Sequence, residues 1–390
     1  MREHLESCAP YLRQQAQHGI VNGITSKAEG ASKNQPRINF PTISAKEKDL
    51  LDLDFAAVCY VDGRPFTLYE TPTMKRALHR LNPAYKPPNR QAIAQRLLDN
   101  AYEETKNSTN NLILSLPSLN IVSDESNNIN GARIANISIH HPSIGSFHYL
   151  SQDIGTMQSK AVNIANWLKN HLQTLTNGDF KRINSIATDT CDTMLSMWEV
   201  AQFYPELKHC FCIPCDSHGM QLLIKDILKI PQFKDTIDKA QAIARAFKKS
   251  HLQYARLREY QLVDLKKPVA LTLSVITRWG SQLQLVMSVI KNKRPLRHYA
   301  LEYPASSLPY NAHEYIQSLQ FWSGLEDLHI ILECIDKAIK MSESNRAHLG
   351  YVLPRWRAIF QHLEGLKKDF PVFEEFLKPK GMSYVNITDS

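Results

Sequence analysis

Apolar residues recur along this chain with two different periods, and the period changes twice. Residues 44–107 read mostly as helix. Ser44 with Glu47 forms a capping-box pair ahead of the apolar run Leu50 to Tyr60. A tight Asp62-Gly63 turn follows, Pro72 opens a helix over 73–81, and Asn89 caps a long helix through Glu104. From Asn111 the spacing shortens. Asn120 to Asp124 reads as a buried strand, and Arg133 to Ile139 alternates with Ala135, Ile137 and Ile139 on one face. Ser146 to Leu150 is a third strand, joined through the Pro142–Gly145 turn. Residues 157–175 return to helical spacing, with Ala161, Ala165, Leu168, Leu172 and Leu175 in a stripe. Ile183 to Thr188 is again a strand and ends at Asp189. Phe211–Ile213 and a helix over Ser217–Leu228 complete this part. Beyond Pro231 the pattern is almost wholly helical, over 236–260, 279–293, 312–341 and 350–377, with one short apolar run from Leu271 to Ile276.

Three antiparallel strands, a helix and a further strand are the opening order of a ribonuclease-H-like α/β fold. The expected class is therefore α/β, a mixed sheet core preceded by a helical segment and followed by a large all-α domain. The expected division is 1–36, 37–110, 111–230 and 231–390. Residues 19–36, rich in Gly, Ser, Asn and Lys, have linker composition.

Composition narrows the class of protein. With 390 residues, 43% apolar and 22% charged, the chain can bury more than one core and is not compositionally disordered. No apolar run approaches the ~18–20 residues that cross a bilayer, and the first residues lack a signal-peptide core, so no membrane partner is expected. Seven cysteines, an odd and scattered set, fit a reducing compartment, the cytosol or nucleus, with the nucleus preferred. The net charge of +8 is concentrated. From Lys229 to Ala300 there are 15 Lys/Arg against 4 Asp/Glu, an excess of 15 − 4 = +11. Such a stretch is the footprint of a polyanion such as DNA, or else a solvated helical face. Lys248, Lys249, Lys266, Lys267, Lys291, Lys293 and Arg294 are its candidate contacts.

Two aspartates, Asp124 and Asp189, fall at or near the C-terminal ends of predicted strands, where side chains emerge into a shared crevice. Carboxylates that meet there can hold divalent ions for phosphodiester chemistry. The alternative is that each is a turn or helix-cap residue. Further on come Cys215-Asp216-Ser217-His218 at the head of a Leu-rich helix and, about sixty residues later, Thr277-Arg278-Trp279-Gly280-Ser281. Cys212, Cys215 and His218 also admit a zinc reading, but no second ligand pair at the usual spacing accompanies them. Buried core cysteines are the competing account of Cys210 and Cys212, and a core aromatic is the competing account of Trp279.

Taken in order, TDTCDTM, CDSHGMQLLIKD and TRWGS resemble the motifs of the hAT superfamily of DNA transposases, of the hobo, Activator and Tam3 type. The resemblance spans about residues 40–370. It implies cut-and-paste transposition by a two-metal, Mg²⁺- or Mn²⁺-dependent nuclease. Asp124 and Asp189 would be the first two members of an Asp-Asp-Glu triad. Cys215 and His218 would help position DNA, Trp279 would stack on an extruded base, and Arg278 would contact the nearby backbone. The sequence departs from the family at Asp124-Glu125-Ser126, where a tryptophan is usual. Glu326, Glu333, Glu343 and Glu374 all lie in helical patterns, and none stands out as the triad glutamate, which is expected in a later segment together with the dimer interface. His4 and Cys8 resemble the last ligands of a BED-type zinc finger whose Cys-x-x-Cys is lacking, so no zinc is expected there. The expected product is a transposase-derived DNA-binding protein, truncated at both ends and catalytically inactive. A domesticated regulator that binds DNA or protein and never cuts is the alternative, and a gene remnant is a third. Full-length relatives would form homo-oligomers.

Overall fold

A computed structural model of the chain describes residues 43–275, 280–344 and 347–378. Among the described residues, those up to Lys106 form one compact unit and those from Asn107 onward a second. His4, Cys8, the Gly/Ser-rich linker, Arg278 and Trp279 lie outside the described residues.

The first unit is helical. Helix α1 (Ala45–Val61) opens on the expected capping box: the Glu47 amide donates to the Ser44 hydroxyl at 3.2 Å, and the Ser44 amide donates to the Glu47 carboxylate at 3.0 Å. These two bonds satisfy donors that the first helical turn leaves open. Gly63, at φ +62°, turns the chain after α1. Thr71 and Pro72 start α2 (Pro72–Leu81), and Asn89 caps α3 (Arg90–Ala94). Ala56, Cys59, Tyr69, Leu78, Ile93 and Leu97 form the core of this unit. Beneath it the buried Asp52 carboxylate takes Lys48 at 2.5 Å and the Tyr85 hydroxyl at 3.0 Å.

The helix expected to run from Asn89 through Glu104 is instead two. The backbone breaks at Gln95, and α4 (Arg96–Ser115) continues well past Glu104. The polar run Asn107–Asn111 hides this continuation from a hydrophobicity reading. Ile113 and Leu116 nevertheless pack into the sheet core, so a boundary drawn at residue 110 falls inside a helix.

The second unit contains a five-stranded mixed sheet of order β3-β2-β1-β4-β5. Strands β1 (Leu119–Asn127), β2 (Arg133–His141) and β3 (Gly145–Asp153) form an antiparallel meander. Strands β4 (Ile183–Thr188) and β5 (Phe211–Pro214) are added in parallel beside β1. Helices α5 (Ala161–Thr176) and α6 (Asp192–Gln202) supply the crossovers, and their apolar sides meet Ile121, Ile137, Ile139 and Ile186 in one core. The alternation read from Arg133 to Ile139 is present in the structure, with Ala135, Ile137 and Ile139 all buried. Asn177 at φ 51° and Gly178 at φ +83° both take left-handed backbone, which lets α5 turn back into β4.

A helical region follows: α7 (Asp216–Ile227), α8 (Pro231–Lys249), α9 (His251–Leu265), α10 (Ser281–Lys291), α11 (Lys293–Glu302), α12 (Ala312–Gln317), α13 (Leu319–Ser342), α14 (Val352–Gly365) and α15 (Val372–Phe376). Helix α13 runs through its centre and buries Trp322, Leu325, Leu328, Leu332 and Ile335. The expected helix over 236–260 breaks at Ser250, and that over 312–341 breaks at Ser318. Each serine hydroxyl accepts the amide three residues on, at 3.3 and 3.2 Å, and so caps a new helix. The run from Leu271 is extended rather than regular as far as Val275. Gln241 holds Ser274 from both sides, and the Ser281 hydroxyl bonds both the amide and the carbonyl of Val275. No described helix is long and apolar enough to cross a membrane.

Candidate functional site

Strands β1 and β4 run parallel, with Val122 opposite Ala187. Two residues further along each chain stand Asp124 and Asp189, side by side toward the same end of these two central strands. Asp124 lies within β1, and Asp189 is the first residue past β4. Asp124 keeps contact with solvent, yet its carboxyl is pushed above the ordinary carboxylate range. Desolvation by the surrounding protein is the first cause, and the negative charge of Asp189 is the second. A bond from the Glu125 amide and the proximity of His218 act in the opposite direction. The end of β4 is braced from below. The Trp198 indole donates to the Thr188 hydroxyl at 3.1 Å, and the Cys191 amide reaches Asp189 Oδ1 at 3.4 Å.

Beside this pair sits the turn into α7. The Cys215 amide donates to the Thr188 carbonyl at 2.7 Å, which ties the head of α7 to the end of β4. Cys215 caps the helix. Burial raises its thiol pKa, while the Ser217 and His218 amides partly offset the shift, and Asp124 and Asp216 both act on it. The sequence-predicted residues Asp124, Asp189, Cys215 and His218 are therefore brought together.

Cys212 is not part of this group. It pairs in register with Ile186, on the side of β5 that faces Gln202 of α6, and it lies near Cys210. Among the described residues no group of three or more His, Cys, Asp or Glu has metal-holding geometry.

Asp216, between Cys215 and His218, has a different environment. Its Oδ2 accepts from Arg355 Nε at 3.0 Å, Arg355 Nη2 at 2.5 Å and the Ser342 hydroxyl at 2.9 Å. Its Oδ1 accepts from Trp356 Nε1 at 2.7 Å. The Asp216 and Arg355 side chains are only 10% and 6% exposed, so this ion pair is shielded from water. Gly219 belongs to the same turn: a Cβ there would stand 3.1 Å from the Trp356 ring. Neither Asp216 nor Trp356 is among the site residues that the sequence predicts. The available signal was an acidic residue inside a short motif together with an Arg-Trp pair, 139 residues apart. A cavity of about 500 Å³ opens between α13 and α14, with Arg355 in its wall, and none of Asp124, Asp189, Cys215 or His218 lines it.

The basic candidates fall into two groups. Lys248 and Lys249 precede α9, while Lys266 and Lys267 follow it, and fifteen residues of helix separate the groups by roughly 22 Å. Lys291, Lys293 and Arg294 join the second group. Buried Gln261 bonds both Val269 and Asn292, which holds the end of α9 against the α10–α11 junction. Several of these cations are engaged. Lys293 meets Glu326 at 2.7 Å, Arg294 meets Asp264 at 3.8 Å, the Lys249 ammonium bonds the Tyr310 hydroxyl, and Lys266 caps α9 through the Val263 carbonyl. Lys248, Lys267 and Lys291 are exposed and have no ion pair among the described residues. Gly280, at φ +69°, has Asp336 Oδ1 2.8 Å from where a Cβ would be, so in the TRWGS motif this glycine is a packing requirement.

Residues 88–243 match the profile of a domain of unknown function, DUF659. This domain is found in hAT-family transposase-like proteins. The match includes all five strands, both aspartates and the Cys215–His218 turn, and it ends within α8. No curated protein matches the chain.

Proposed function

We propose that this chain is a hAT-transposase-derived DNA-binding protein, acting in the nucleus, whose sheet is a ribonuclease-H-like core. In this reading Asp124 and Asp189 together hold Mg²⁺ or Mn²⁺. The observation that carries it is the meeting of two carboxylates at one end of adjacent parallel strands, in a sheet of order β3-β2-β1-β4-β5. The donor set suits the ion. Both groups are hard oxygen ligands, and the negative charge of Asp189 disfavours the ionised form of Asp124, which a cation between them would relieve. A bound divalent ion supplies Lewis-acid activation for phosphodiester chemistry.

The chain's own residues have separable tasks. Asp124 and Asp189 ligate, while Cys215 and His218 orient DNA beside them. The cations at both ends of α9 engage phosphates, with Arg278 and Trp279 contacting the backbone and an extruded base. On α13, Glu326 and Glu333 are tied to Lys293 and Lys337. The second reading is a regulator that binds DNA without cutting it, which needs the cations around α9 but not the carboxylate pair.

Two titrations of the purified chain test this. Mn²⁺ should bind the wild type and be lost in Asp189→Ala. Duplex DNA should bind with little sequence preference and, if about six phosphates are engaged, with a log affinity–log salt slope near −5. Reversing Lys248 and Lys291 should flatten that slope by roughly 2. Absence of binding at low salt would reject the DNA reading, and metal-dependent cleavage lost in Asp189→Ala would make the protein a working nuclease.

A further inference from the structure

Cys215 and His218 can face Asp124 only if the first turn of α7 is held at the correct height and rotation. One anchor is visible at the sheet, the bond from the Cys215 amide to the Thr188 carbonyl. Burial of Met220, Leu223, Ile224 and Ile227 holds the body of the helix, but neither that packing nor this bond fixes the polar first turn in rotation. The second anchor is Asp216. Its two oxygens accept four hydrogen bonds from three side chains on α13 and α14, two of them from the planar fork of Arg355. The bonds arrive from different directions, so they fix the rotation of the turn as well as its distance. Gly219 completes the fit by letting the Trp356 ring lie against the helix backbone, and Trp356 is itself in ring contact with Phe360.

We propose that Asp216, with Ser342, Arg355 and Trp356, is a positioning residue: it locks the head of α7 to α13 and α14 so that Cys215 and His218 face Asp124. This rests on the carboxylate pair being the working site. Asp216 acts only through Cys215 and His218. The helical region thereby controls the geometry of a site whose carboxylates stand on the sheet, and any movement of α14 is transmitted to His218.

Site-resolved thiol alkylation of the full chain tests the lock without requiring metal or DNA. Cys215 reports the head of α7, Cys210 reports the sheet core, and Cys59 reports the separate first unit. Arg355→Lys keeps the charge but loses the fork, and Trp356→Phe removes a single donor. In Arg355→Lys the alkylation rate of Cys215 should rise about tenfold, and in Trp356→Phe by a smaller factor, with Cys210 and Cys59 unchanged in both. Mn²⁺ affinity should fall in parallel, by roughly 10–100-fold in Arg355→Lys, as for other losses of outer-shell support. Equal acceleration at Cys215 and Cys210 would mean general loosening and would overturn the proposal. So would selective exposure of Cys215 with Mn²⁺ affinity intact. If Arg355→Lys fails to fold, Trp356→Phe decides by the same criteria. A wild type that binds no Mn²⁺ would reject the metal reading by itself, and the lock would then stand or fall on the Cys215 rate.

Discussion

Asp124 and Asp216 both act on the Cys215 thiol, yet their surroundings are opposite. Asp216 is enclosed and fully satisfied, with a guanidinium, an indole and a hydroxyl as donors. Asp124 is open to solvent, receives one backbone amide and stands beside two further carboxylates, Asp189 and Glu125. A satisfied buried carboxylate holds structure together. A crowded one, whose ionised form its neighbours disfavour, works against stability, and such groups concentrate where a protein handles ligands. Two aspartates in adjoining elements thus separate by environment rather than by residue type.

The largest expected effect falls on the satisfied member. Arg355→Met removes the cation paired with Asp216 and should destabilise the second unit by about 3–5 kcal/mol in urea unfolding, the usual cost of stranding a buried charge. A change below ~1 kcal/mol would mean that Trp356 and Ser342 suffice, and would blur the contrast.

Asp124→Asn should act with the opposite sign and raise the unfolding midpoint at pH 7. Because the native carboxyl is easier to protonate than the unfolded one, its ionisation costs stability. That penalty is absent below the ordinary value of 3.8, grows as pH rises through the raised native value and is complete above it. The stabilising effect of the substitution should therefore vanish in acid. The same variant should lose more Mn²⁺ affinity than the roughly 10–100-fold typical of outer-shell changes. A lower midpoint at pH 7 would show that Asp124 has a structural partner.

The smallest effect is expected at Gly219→Ala. Helix propensity alone would gain roughly 1 kcal/mol. The added methyl, however, meets a Trp356 ring that is held by its bond to Asp216, so the gain should not appear. A clearly raised midpoint would show that the ring gives way and that the fit around Asp216 is loose.

Much of this arrangement was legible from local pattern. The alternation through Ile137 and Ile139, the Ser44–Glu47 box, and Asp124 and Asp189 near strand ends all depend on residues close in sequence. Breaks were harder to read. Ser250 and Ser318 look like ordinary polar positions within helical stripes until their hydroxyls are seen capping the next helix. The engagement of Lys293 by Glu326 and the grip of Arg355 on Asp216 were not legible at all. Each joins residues far apart in the chain, and charge counting records a cation without recording its partner.

The distance between Asp216 and Arg355 also has a consequence for the order in which the molecule is made. During synthesis the whole sheet and the head of α7 emerge while 139 further residues are still to be added before the guanidinium appears. At about 5–20 residues per second that interval lasts roughly 7–28 s. Throughout it Asp216 faces water, and the turn that carries His218 has a single tether. A nascent chain can complete its strands early, but the crevice beside them acquires its final shape only when α14 arrives.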